Sequence, residues 1–287
     1  MIVRLLSLSV FFFSASVFAD TALPAPECHK VSDPGHRAFE YCVRRPASGA
    51  GAGVVYFLHG RGGSASGAIT EIADPVFATL RLGARAPWLV AISYGSNALV
   101  ATTSVHDRAV PTTEVNDYAL PLIERELGIA GRPDRHLLGL SLGGFNAIDI
   151  FGDSPAKFSS LALLCPAVVD INPFDKTQVD DFKKRNAAIL DPGKSNLALM
   201  IVQFTFQDEA HWNISNPMAK IRSGVLAGKP AFVSIGSEDD YGFFEGTEHL
   251  SKELDAQGVV HDWAPVPGKH CSYDGQKLGD YFTRVLR

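Results

Sequence analysis

Gly139-Leu140-Ser141-Leu142-Gly143-Gly144 stands between two apolar runs. The run before it, Arg135-His136-Leu137-Leu138, reads as a short strand. The run after it, residues 145–151, continues as a buried helix. A strand, a Gly-x-Ser-x-Gly turn and a helix together make a nucleophile elbow. The turn is too tight for side chains beside the serine, and Gly139 and Gly143 supply that lack of volume. The serine then stands at the strand's C-terminal tip, next to a helix N-terminus that favours negative charge. The Leu142 amide is placed to point at a developing oxyanion. The bland alternative for the stretch alone is a Gly-rich strand-to-helix turn with a serine in solvent.

The rest of the chain decides between these readings. Upstream, residues 53–58 contain Val-Val-Tyr-Phe-Leu, a continuous apolar run bounded by glycine, as in a strand buried on both faces of a parallel sheet. It runs into His59-Gly60-Arg61-Gly62-Gly63. This loop lacks the Lys-Ser/Thr of a P-loop and the spacing of a dinucleotide fold. It suits the second half of an oxyanion hole, with the Arg61 amide as candidate donor and His59 as a brace. Residues 88–94 read as the next buried strand, followed by a polar loop with Ser104, His106 and Asp107, in which His106 is a rim residue rather than a base. Residues 114–127 read as a helix that Pro121 kinks or divides.

Downstream, residues 159–165 and 230–235 read as strands. The segment between Pro166 and Lys229 is too long for a plain connection, so it is expected to hold helices of its own, at residues 180–189 and at 197–207, where a strand is the alternative. Such an insertion would cap the active face, with Trp212 over the pocket as a substrate contact. Residues 247–257 read as a helix and 259–264 as the last strand. A final helix has Leu278, Phe282, Val285 and Leu286 at helical spacing, and residues 20–34 are a Pro-rich extended lead-in.

Strands alternating with helices give the α/β class, a mostly parallel sheet, and ligands at the strands' C-terminal ends. Four signals fall at those ends: His59-Gly-x-Gly-Gly63, the serine turn, Gly236-Ser237-Glu238-Asp239, and Gly268-Lys269-His270. A serine hydroxyl needs a base to take its proton, and His270 can return that proton to a leaving group. A carboxylate fixes the imidazole tautomer. Asp239, three residues after the glycine that ends its strand, is the chosen acid. Asp240 is the adjacent alternative, Asp170 a weaker one, and Asp262 a structural residue within the last strand.

Composition bounds the rest. A chain of 287 residues that is 46% apolar can bury a large core, and a net charge of -5 leaves no basic surplus for nucleic acid. Residues 1–19 have Arg4, a short apolar run and small residues ahead of Asp20, as in a secretory signal cleaved after Ala19. The run is too short to span a bilayer; the alternative is a retained anchor. The rest, residues 20–287, reads as one domain in a secreted or periplasmic protein. Export permits disulfides among Cys28, Cys42, Cys165 and Cys271. Cys28 and Cys42 flank a hairpin-sized segment and are paired first.

From about Gly53 to the C-terminus, these four motifs resemble the esterase-D-like branch of the α/β-hydrolases, whose chain order is also Ser, Asp, His. The resemblance implies an α/β-hydrolase fold with helices on both faces of the sheet and a small helical insertion at about 166–229. It also implies hydrolysis of a small-molecule or glycan-linked carboxylic ester, without cofactor or metal. Some members pass the acyl group to a sugar, so an acyltransferase stays open. A serine peptidase and a non-catalytic binding protein on the same scaffold are the other rivals. Secreted relatives often join cysteines beside the serine and the histidine. Here Cys271 follows His270 but Leu140 precedes Ser141, so the resemblance implies Cys165 as the substitute partner of Cys271.

Overall fold

Val54–Leu58 (β3) is buried at all five positions, as a strand covered on both faces must be. The computed structural model describes residues 23, 25–46, 51–80, 82–102, 109–131 and 134–286. The segment read as a signal, and Ser104, His106 and Asp107, lie outside the described residues. Around β3 is built an eight-stranded sheet in the order β1-β2-β4-β3-β7-β8-β9-β10. Its strands are Glu27–Val31 (β1), Phe39–Arg44 (β2), β3, Trp88–Ser93 (β4), Arg135–Leu140 (β7), Ser160–Leu164 (β8), Ala231–Ser234 (β9) and His261–Trp263 (β10); Val100–Ala101 (β5) and Val110–Pro111 (β6) form a separate parallel pair. β2 runs antiparallel to both of its neighbours, β1 and β4, and the other pairings of this sheet are parallel.

Helices cover both faces. On one side pack α3 (Leu120–Glu126), α4 (Leu142–Asp153), α8 (Pro217–Arg222) and α9 (Phe243–Ala256). On the other lie α1 (Ala65–Gly67), a π-helical turn, α2 (Asp74–Phe77) and α10 (Gly275–Val285). Between β8 and β9 the chain adds α5 (Lys176–Arg185), α6 (Pro192–Thr205) and α7 (Glu209–Ser215). With Phe145, Ile235 and Phe243 they form a third apolar cluster above the strands' C-terminal ends.

Local chemistry sets the boundaries. Asp175 and Asp191 accept from the first amides of α5 and α6, so α5 starts four residues before the expected 180. Pro121 divides its helix: residues 114–119 form a π-helical turn, and α3 begins with the proline in its first turn. The lead-in read as plain extended chain holds β1. Four of its five residues are exposed, so it has no apolar alternation to announce it. Its register sets Cys28 opposite Cys42, where a disulfide joins them across a Cα separation of 4.0 Å. Closing a loop of that 14-residue separation stabilises the fold by about 3 kcal/mol in the chain-entropy account. Among the described residues no helix is long and apolar enough to cross a membrane.

His136, on β7, is buried with Nδ1 2.8 Å from Ser160 Oγ, while Nε2 has no partner among the described residues. Burial pushes its pKa down to about 4. A histidine neutral in the folded state and protonated in the unfolded one supports stability above the unfolded pKa. That support is lost as pH falls from about 6.5 through 4. Thermal melts across this window should fall less steeply for His136→Gln than for the native chain, a difference of order 3 kcal/mol.

Candidate active site

Ser141 is at φ 54°, ψ -116°, between β7 and α4. A non-glycine residue in this region costs about 1–3 kcal/mol, so its surroundings must hold it there. They do: Ser141 N donates to Leu164 O at 2.9 Å, and its carbonyl accepts from Gly144, Phe145 and Ala167. A Cβ on Gly143 would run into the Leu58 carbonyl oxygen, so the elbow closes only with glycine there.

Ser141 Oγ lies 2.8 Å from His270 Nε2, and His270 Nδ1 lies 2.5 Å from Asp239 Oδ2. With Nδ1–H donating to the carboxylate, Nε2 is left to accept from the serine. Asp239 is 1% exposed. Its other oxygen, Oδ1, accepts from the amides of Tyr241, Gly242 and Phe243 at 3.0, 3.0 and 3.2 Å. A buried carboxylate is thereby fully satisfied and fixed in orientation. The rings of Tyr241 and Phe243 pack on the imidazole at 4.4 and 5.5 Å.

The histidine loop is laced to the acid loop. Ser237 N donates to Val266 O and Glu238 N to Gly268 O. The two loops approach so closely that a Cβ on Gly236 would meet the Lys269 carbonyl. Beside them, Cys165 and Cys271 form a disulfide with Cα atoms 5.0 Å apart. Ser141, Cys165 and Cys271 are the described non-glycine residues with positive φ, at 54°, 41° and 63°. All three strained positions thus cluster at this site.

The other acidic residues are engaged elsewhere. Asp240 Oδ2 pairs with Lys194 Nζ at 2.6 Å. Asp170 holds Arg222 at 2.8 Å and His249 at 3.0 Å, and Asp262 pairs with Arg284. His59 is a brace: Nδ1 is 2.8 Å from Gly60 O and Nε2 is 2.7 Å from Ser93 Oγ. Gly62 N donates to Ser96 O at 2.6 Å, fixing the same loop. Leu142 begins α4, so its amide has no intrahelical acceptor. Among the described residues, neither the Leu142 nor the Arg61 amide donates to a protein group.

These groups open on a cleft that is open to solvent. Its wall is mostly apolar. α6 contributes Leu197, Ala198, Ile201 and Val202, and Phe145, Tyr241 and Phe243 add aromatic surface. Sequence reasoning missed these wall residues. The available signal was the run 197–202, apolar all round and so suited to a helix buried on more than one side. Trp212 is a correction. It is 4% exposed, packs edge-on to Phe206 at 5.0 Å, and is not among the residues lining the cleft. It is a core residue of the cap, and Trp212→Ala should cost about 3–5 kcal/mol of stability in denaturant titrations.

The described groupings able to share a metal ion are Cys165–His270–Cys271 and Cys28–Glu40–Cys42. In both, the sulfurs are joined as disulfides and are not thiolate ligands.

A family model described as Putative esterase matches residues 40–285. The chain belongs to this esterase family. No functionally curated protein matches the sequence significantly. Among solved structures, a ferulic acid esterase superposes with TM-score 0.61 at 16% identity, over 91% of this chain and 95% of that one. The S-formylglutathione hydrolase of Agrobacterium tumefaciens gives 0.63 at 14%, over 91% and 95%. MPT51 (FbpC1) of Mycobacterium tuberculosis gives 0.63 at 14%, over 93% and 100%. These likenesses establish the α/β-hydrolase fold, and family membership supports a hydrolase.

Proposed function

We propose that this esterase-family protein is an exported serine hydrolase that cleaves carboxylic esters through an acyl-enzyme on Ser141. One observation carries the reading: an unbroken hydrogen-bonded chain from Ser141 Oγ through His270 to a buried Asp239, opening on an apolar cleft. Ser141 Oγ attacks the ester carbonyl as His270 Nε2 takes its proton. The carbonyl oxygen becomes an oxyanion held by the Leu142 and Arg61 amides. Asp239 stabilises the imidazolium without itself taking the proton. His270 then gives the proton to the leaving alcohol. Water enters, loses a proton to Nε2 and bonds to the acyl carbon; the bond to Ser141 Oγ then breaks, His270 returns the proton to Oγ, and the acid leaves. Two disulfides support export to an oxidising compartment, together with the signal-like residues 1–19.

The apolar wall of α6 suits an apolar acyl group. Ile201→Trp should shorten the acyl chain that gives the highest kcat/KM in a p-nitrophenyl ester series, leaving acetate cleavage the least affected. The Cys165–Cys271 bond anchors the loop that carries His270. Its loss through Cys271→Ser should lower kcat about 10–100-fold, because small misplacements of a catalytic group are costly. Steady-state kinetics would show a smaller change in KM.

The decisive assay is a chromogenic ester panel of increasing acyl length, run with and without an added sugar acceptor. Release of acid in water supports the esterase. Turnover only with the sugar, with acyl-sugar as product, makes it an acyltransferase. A folded protein inert toward every ester overturns the proposal.

A further inference from the structure

The cleft wall carries one Lys, Arg, Asp or Glu side chain among the described residues, that of Arg61. Arg61 is exposed, and no described acceptor hydrogen-bonds or pairs with its guanidinium. The carboxylates on the loop behind the cleft are already committed: Asp239 to His270 and three amides, Asp240 to Lys194. No counter-ion on the cleft wall therefore neutralises this cation. The loop that carries it is held in place on both sides of Arg61. His59 and Gly62 tie that loop to Ser93 and Ser96, and the Arg61 amide is a candidate oxyanion donor. Arg61 lines the same cleft as Ser141 and His270, so its side chain has the length to reach a group a few bonds from an ester carbonyl held at Ser141. The N-terminus of α4 adds positive potential at the same place.

We infer that Arg61 is a specificity residue that recognises an anionic group, a carboxylate, a few bonds from the scissile ester. The inference rests on the esterase reading and deepens it. The substrate then has two ends: an apolar part against α6 and an acid at the loop of residues 59–63. Arg suits this task because its fork binds a carboxylate with two parallel hydrogen bonds. The acid has two places to reside, the acyl part or the alcohol part, and the same guanidinium chemistry serves both.

Matched ester pairs distinguish them. On the acyl side, mono-p-nitrophenyl glutarate is compared with p-nitrophenyl pentanoate. On the alcohol side, the butanoyl ester of glycolic acid is compared with isobutyl butanoate, with acid release followed by pH-stat. The quantity read is the ratio of kcat/KM for the charged over the neutral member, so effects on the amide's own role in both reactions cancel. The native protein should favour the charged member in at least one pair. Arg61→Gln should reduce that ratio about tenfold, the scale of a partly exposed hydrogen bond to a charged group. Arg61→Lys should keep part of it, and Arg61→Glu should bring it below the Arg61→Gln value. Raising the salt to several hundred millimolar should erode the native preference, which a purely steric role would not do. A ratio that is the same in Arg61→Gln as in the native protein for both pairs overturns the inference. So does a preference indifferent to salt. Cleavage of neutral esters in those cases leaves the esterase reading intact; a folded native protein that cleaves none of the four esters overturns both.

Discussion

Ser141→Ala is expected to lower kcat for ester hydrolysis by about 10⁶, the scale seen when a nucleophile is removed from a serine, histidine and carboxylate acting as a unit. The fold should be unchanged. Alanine keeps the Cβ, so the positive φ of 54° is no better or worse accommodated than before. The hydroxyl makes one described hydrogen bond, to His270 Nε2 at 2.8 Å. Ser141→Gly is different: it also relieves the backbone strain and should raise the melting temperature. Because the three groups act together, Ser141→Ala combined with His270→Ala should be no slower than Ser141→Ala alone. Chromogenic ester kinetics and thermal melts of the three variants check these outcomes.

Asp239→Asn is expected to cost about 10⁴ in kcat. The surroundings dictate how. Three backbone N–H groups converge on Oδ1, so the oxygen of an asparagine must stay there. Its NH2 then faces His270 Nδ1, which has to accept. The ring proton moves to Nε2, and Nε2 can no longer take the proton of Ser141. Asp240→Asn removes a pairing with Lys194 at 2.6 Å and no contact with the imidazole, so its effect on kcat should be far smaller. Side-by-side kinetics of the two variants decide between neighbouring carboxylates. A severe Asp240→Asn and a mild Asp239→Asn would shift the triad by one residue.

The parts of this molecule that were legible in its sequence are those where backbone geometry restricts residue type. Gly143 packs against the Leu58 carbonyl and Gly236 against that of Lys269; neither position admits a Cβ, and both fall inside the quoted motifs. β3 and β8 are buried on both faces and therefore read as unbroken apolar runs. Where these constraints lapse, legibility lapses too. β1 is held by its ladder with β2 and by a disulfide, so it needs no apolar pattern. α9 begins at Phe243, four residues before the expected 247, because its first turn follows directly from the loop that clamps Asp239. Trp212 and Ile201 are both large apolar residues of the cap. Which of them faces the cleft depends on how α6 and α7 pack, which residue type alone does not decide. The pairing of Cys165 with Cys271 depends on two loops meeting across a sequence separation of 106 residues; the sequence suggests it only through the resemblance and the place of Cys165 at the end of the strand beside the elbow strand.

The central claim is that Ser141 is the activated nucleophile. A fluorophosphonate probe reacts with such a serine and stays covalently attached. Labelling the folded protein, digesting it and mapping the adduct by mass spectrometry tests the claim directly. The account predicts one stoichiometric adduct on Ser141, lost in Ser141→Ala and strongly reduced in His270→Ala. An adduct on Ser64, Ser93 or another serine, or no adduct on the folded native protein, would contradict it.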